Sequence, residues 1–181
     1  MTDPTSAGPI TPGPANPEPA SPAPAEEPAN QRVFLVVVDD SEELKLALRY
    51  AARRAQHTGG RVAMLYVIEP SDLQQWMAVE TLMREERREE AEALLHKLSS
   101  EVAEQSGSMP IIFIREGRRR DELFALIDEE PSISVIVLAA GKGTEGPGPL
   151  ITALIGRTEQ LRVPITIVPG GLSDEEIAAL A

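Results

Sequence analysis

Five short stretches of this chain carry almost no polar side chain: VFLVVV (33–38), RVAMLYVI (61–68), PIIFI (110–114), ISVIVLAA (133–140) and PITIVP (164–169). A strand that is apolar at every position must be covered on both faces, and sheets covered on both faces are parallel ones. The intervening segments supply the cover. In SEELKLALRYAARRAQHTGG, Leu44, Ala47, Leu48, Ala51 and Ala55 recur at helical intervals, with Ser41 placed as N-cap and Gly59 as stop signal. A long helix is expected from about Val79 to Gln105, with Ala91, Leu94, Leu95, Leu98 and Val102 as its apolar stripe and its many charges on the solvated face. The pattern then predicts helices over 121–130 and 148–162, Pro149 standing in the first turn of the latter, and a last short helix opened by a capping box from Ser173 to Glu176. Strands alternating with helices imply an α/β fold, one open five-stranded parallel sheet wound by right-handed crossovers with helices on both faces. Ligands in such sheets bind beyond the carboxyl ends of the strands, where the strand order reverses.

The first thirty residues are a different material. They hold nine of the sixteen prolines and no aromatic residue, so they can neither form a backbone ladder nor bury enough surface to offset ordering. Residues 1–31 are therefore expected to be a disordered arm, 32–170 the folded domain and 171–181 a closing helix. The net charge of −12 excludes nonspecific attraction to nucleic acid or anionic lipid, and the absence of cysteine excludes disulfides and thiol chemistry. The two histidines, His57 and His96, have no partner at metal-ligand spacing. No segment has the run of about 18 apolar residues that a membrane span needs, and no basic, apolar leader begins the chain, so a cytoplasmic location without membrane contact is expected.

The functional question lies in VVVDDSEE (36–43), where an apolar strand runs into four carboxylates and a hydroxyl. Three readings compete: a Mg2+ site for phosphoryl transfer, a hydrogen-bonding site for a nucleotide, or a helix cap. A receiver-type phosphoacceptor domain would require a third carboxylate at the end of strand three. That strand ends FIREGRRR, with no aspartate before Asp121. No serine elbow, Walker loop or histidine is placed near Asp39, so no catalytic constellation is present and a non-enzymatic protein is expected.

FLVVVDDSEELKLALRYAARRA, GGRVAMLYVIEP and ISVIVLAAGKGTEGPGPLITALIGRTEQLRVPITIVPG, in this order and spacing, resemble the universal stress protein family over residues 32–170. The resemblance implies an adenine nucleotide alpha hydrolase-like sheet of order 3-2-1-4-5, a homodimer paired through the last strand, and in some members ATP or AMP as ligand. It also implies site residues. Asp39 matches the acidic residue at the end of strand one that contacts the nucleoside, Val67 a residue near the base, and the loop from Gly141 the phosphate-binding segment. Gly143, Gly146 and Gly156 fit the family spacing of Gly, two residues, Gly, nine residues, Gly. Arg157 stands where relatives have Ser or Thr. On residues alone the loop equally fits a surface connection between strand and helix. Arg115, Arg118, Arg119 and Arg120 follow strand three on the rim that carries Asp39; they are read first as balancing nearby glutamates and, as the alternative, as meeting a phosphate or an acidic partner. The rival function is a nucleotide-free interaction module.

Overall fold

The computed structural model describes residues 31–70, 77–142 and 146–181. The five apolar runs form strands β1 (Val33–Val38), β2 (Arg61–Ile68), β3 (Ile111–Glu116), β4 (Ile133–Ala140) and β5 (Ile165–Pro169). Every neighbouring pair is parallel and the order is β3-β2-β1-β4-β5. β1 is central, and all six of its residues are buried, as its unbroken apolar sequence demands. Because successive side chains alternate across the sheet, β1 feeds two cores. Phe34, Val36 and Val38 pack with helices α1 (Leu44–Thr58) and α2 (Met77–Ser106) on one face. Val33, Leu35 and Val37 pack with α3 (Arg119–Glu129) and α4 (Pro149–Ile155) on the other.

The ends of the elements follow local chemistry. α1 stops at Gly59 as its sequence predicts, but it does not begin as expected: Glu43 is the N-cap residue and no side chain caps the helix. The Ser41 hydroxyl is turned away, donating to Asp39 Oδ1 at 2.6 Å. The helix expected over 148–162 ends at Ile155, followed by a single 3-10 turn, Thr158–Gln160. Ile151 and Leu154 bury their side chains, whereas Ile155 to Gln160 are all exposed. Without packing to hold the helix, the low propensity of Gly156 ends it.

Helix α5 (Asp174–Leu180) is opened by the predicted capping box: Ser173 Oγ accepts from the Glu176 N–H, and Glu176 Oε2 accepts from the Ser173 N–H at 2.8 Å. It packs on α1 through fully buried Ile177, the Arg49–Asp174 ion pair and a 2.9 Å contact between His57 Nδ1 and the Ala181 carbonyl oxygen. β5 is thus an edge strand with Ile167 exposed at 38%. The proline-rich arm, apart from Gln31, and the Trp76 loop lie outside the described residues. Among those described, no helix is long and apolar enough to cross a membrane.

Candidate functional site

The strand order reverses at β1, from which the chain crosses to β2 on one side and β4 lies on the other. With Val36 opposite Val137, the ends of β1 and β4 lie side by side, and α1 and α4 start on opposite faces of the sheet beyond them. Two adjacent parallel strands whose following helices leave on opposite faces must open a crevice between them. A cleft of about 820 Å³ lies there. Its floor is Val37, Leu138 and Ala139; Asp39, Ser41, Glu43 and Leu44 form one wall, and Gly141, Lys142 and Gly146–Ala153 the other. Arg119, from the start of α3, also reaches it.

Asp39 is half-buried, immediately beyond the end of β1. Its Oδ1 accepts from both the Ser41 N–H, at 3.0 Å, and the Ser41 hydroxyl. This aspartate turn, in which a side chain takes the place of a backbone carbonyl, fixes the carboxylate and leaves Oδ2 without a hydrogen-bond partner among the described residues. The fixed carboxylate offers an acceptor at the cleft wall. Asp40 is exposed and lies outside the cleft. Glu43 contributes a second carboxylate, with Oε1 3.6 Å from where a Cβ on Gly141 would stand.

The opposite wall is shaped by glycines, though not by all of those the spacing selected. Gly141 and Gly146 line the cleft, and Gly143 lies outside the described residues. Gly156 is the C-cap of α4, so it and exposed Arg157 stand at the far end of that helix, about 10 Å from its start at 1.5 Å per residue, and neither lines the cleft. Gly148 takes the place they were expected to fill. With φ 103° and ψ 156° it occupies a region essentially closed to other residues, and Pro149 follows as the first residue of α4. Reading Gly-Pro as a helix start locates Gly148; counting nine residues from Gly146 passes over it. Val67 is buried in the core on the α3 and α4 side and is not part of the cleft wall.

Of the four arginines at the end of β3 and the start of α3, three pair with carboxylates among the described residues, Arg119 only loosely, with Glu69. Arg115 bonds Glu129 Oε2 and lies 4.0 Å from Glu122 Oε2, and Arg120 Nη2 is 2.8 Å from Asp121 Oδ1. The hydrogen bond from Arg115 holds the Glu129 carboxyl below the usual glutamate range. Among the described residues no group of three or more His, Cys, Asp or Glu is placed to hold a metal ion.

Taken together, an open parallel sheet of order 3-2-1-4-5, an acidic residue fixed at the end of β1 and a glycine-shaped loop after β4 define a doubly wound α/β domain with its cleft at the switch point. The sequence matches the universal stress protein family over residues 31–160, and the chain belongs to that family. Universal stress protein UspA from Lactobacillus plantarum superposes with a TM-score of 0.65 at 19% identity, over 78% of this chain and 99% of that one. The universal stress protein from Archaeoglobus fulgidus in complex with dAMP gives 0.53 at 18% identity, over 77% and 98%. A universal stress protein in complex with cAMP gives 0.53 at 14% identity, over 79% and 100%. No curated protein matches. At these identities the superpositions establish the common fold.

Proposed function

We propose that this chain is a non-catalytic, cytoplasmic stress-response protein that binds an adenine nucleotide, AMP or ATP, in the cleft between β1 and β4. The observation that carries the reading is the half-buried Asp39 carboxylate, fixed by Ser41 with one oxygen unengaged, at the wall of a cleft of about 820 Å³. That volume falls within the roughly 300–1,000 Å³ of small-molecule sites. Proteins of the same fold have been crystallised with dAMP and with cAMP, which supports a nucleotide as ligand. Asp39 Oδ2 accepts from a hydroxyl of the nucleoside, and the backbone of the loop ending at Gly148 meets the phosphates. Gly156 and Arg157 take no part. Isothermal titration with AMP and ATP tests this: saturable heat at up to millimolar ligand, reduced at least tenfold in affinity by Asp39→Ala, is expected, and no heat in the wild-type protein refutes the reading.

The family's homodimer through the last strand is part of the same proposal. Among the described residues β5 is a free edge, short and β-branched, with Ile167 exposed, and α5 packs on α1. A nucleotide-free interaction module remains as the rival reading, favoured if that edge assembles while the cleft stays empty.

A further inference from the structure

Arg119 differs from Arg118 and Arg120, which follow β3 with it, in lining the cleft and in burying its Nε. It lines the cleft, and among the described residues its guanidinium makes no hydrogen bond. Its Nε is buried without a partner, and its ion pair with Glu69 is a loose one, 3.6 Å from Nη2 to Oε2. A guanidinium carries five N–H donors in a rigid fork, and leaving a buried donor unmatched is costly. The side chain nevertheless starts from a fixed position. The Arg119 backbone N–H donates to Glu69 Oε1 at 3.1 Å, tying the first residue of α3 to the residue after β2, and the Gly117 N–H bonds the Ile68 carbonyl at 3.1 Å beside it. Glu69 therefore occupies the amide at the start of α3, and what remains for a ligand is the side chain.

The charges around the cleft indicate what that ligand carries. Its acidic lining residues, Asp39 and Glu43, form the wall after β1, and its basic ones are Lys142 on the loop and Arg119 on α3. Lys142 is exposed and forms no ion pair among the described residues, so it is a mobile point charge. Arg119, anchored through its own backbone, offers the planar fork that matches a phosphate in bidentate fashion. Lys142, after β4, and Arg119, tied to the residue after β2, flank the Asp39 wall on either side, and a ligand that carries both hydroxyls and an anionic group matches the acidic and the basic residues.

We infer that Arg119 is a specificity-determining residue of the cleft, binding the phosphate of a nucleotide so that nucleotides are taken and uncharged nucleosides are not. This rests on the nucleotide-binding reading above and adds a phosphate contact from α3, outside the glycine loop. The discriminating experiment is calorimetric titration of wild-type, Arg119→Lys and Glu69→Gln proteins with AMP and with adenosine, alongside thermal melts. Arg119→Lys keeps the charge and removes the fork. It is expected to weaken AMP roughly tenfold or more, the loss of a charge-assisted hydrogen bond, while leaving adenosine affinity unchanged. Glu69→Gln loosens the anchor and is expected to weaken AMP less. Unchanged AMP affinity in Arg119→Lys overturns the inference and leaves the nucleotide cleft standing. Equal losses for AMP and adenosine also overturn it, because they mark a purely structural role. Absence of AMP binding in the wild-type protein refutes the nucleotide-binding reading and this inference together.

Discussion

Replacing Gly148 with alanine tests how the cleft wall is built. Space is not the obstacle, because nothing lies within 4 Å of where the new Cβ would stand. The obstacle is the backbone. At φ 103° and ψ 156° an L side chain meets its own peptide groups, at a cost on the order of 1–3 kcal/mol. The variant must either keep this conformation and lose that much stability, or move the loop entering α4 and recover part of it at the expense of the cleft. For a domain of this size the first outcome corresponds to a fall in melting temperature of roughly 2–12 °C. Gly141→Ala is the matched control: the same loop and the same added methyl group, but ordinary φ and nearest atoms, Glu43 Oε1 and the Gly146 carbonyl, both at 3.6 Å. Thermal and urea denaturation of both variants should show Gly141→Ala within about 0.5 kcal/mol of wild type and Gly148→Ala clearly below it, or equally stable but weakened in AMP binding. Equal stability and equal AMP binding in the two variants would refute the reasoning.

Three further outcomes follow from the geometry. Arg157→Ser, which restores the hydroxyl of the family spacing, is expected to leave nucleotide affinity unchanged in the same titrations, since Arg157 stands at the far end of α4; a gain in affinity would return this residue to the site. The Glu176 carboxyl is held below the usual range first by the backbone N–H of Ser173 and then by its hydroxyl, so folded Glu176 is the stronger acid. The capping box therefore contributes stability above the ordinary glutamate pKa of 4.5, and loses it as pH falls through the lower folded value; amide protection factors in α5, corrected for the intrinsic exchange rate, that fall at acid pH in the wild type and not in Glu176→Gln would show this. Ile167→Lys on the β5 edge is expected to convert the proposed dimer to monomer in sedimentation, and a wild-type protein that is already monomeric at high concentration would remove the dimer proposal.

The sheet was legible because its signal is redundant. Five apolar runs, each confined between turn residues, alternate with helical segments, and the structure places four of the five within one residue of the predicted bounds; the edge strands β3 and β5 nevertheless stay partly exposed, β3 without a single fully buried residue. β3 runs on to Glu116, two residues beyond the apolar run, because Arg115 and Glu116 keep pairing with β2 while their side chains engage charged groups of α3 and α2. The Ser173 cap was legible for the opposite reason, a local motif with no competitor. Ser41 was not: capping needs its hydroxyl oxygen to accept from a backbone N–H at the helix start, but the group is turned back to donate to the carboxylate of Asp39, two residues before it, and the helix starts uncapped. The cleft was legible to the level of strand ends. Asp39, Gly141 and Gly146 are brought together, whereas Val67 faces the core below and Gly156 was selected by counting residues in a loop whose length differs from the family pattern. The sequence presents Glu43 within VVVDDSEE and Arg119 among the four arginines on the rim of Asp39, but singles out neither as a site residue. Each sits among charges of its own kind in the chain, and only the fold separates the residue that reaches the cleft from those paired on the surface.

Amide chemical-shift mapping during AMP titration decides whether the cleft between β1 and β4 is a nucleotide site. Saturable shifts are expected at 39–44, 139–142, 146–153 and Arg119, with 156–160 and α5 unaffected. Shifts absent throughout, or centred on the far end of α4 or the β5 edge, would contradict it.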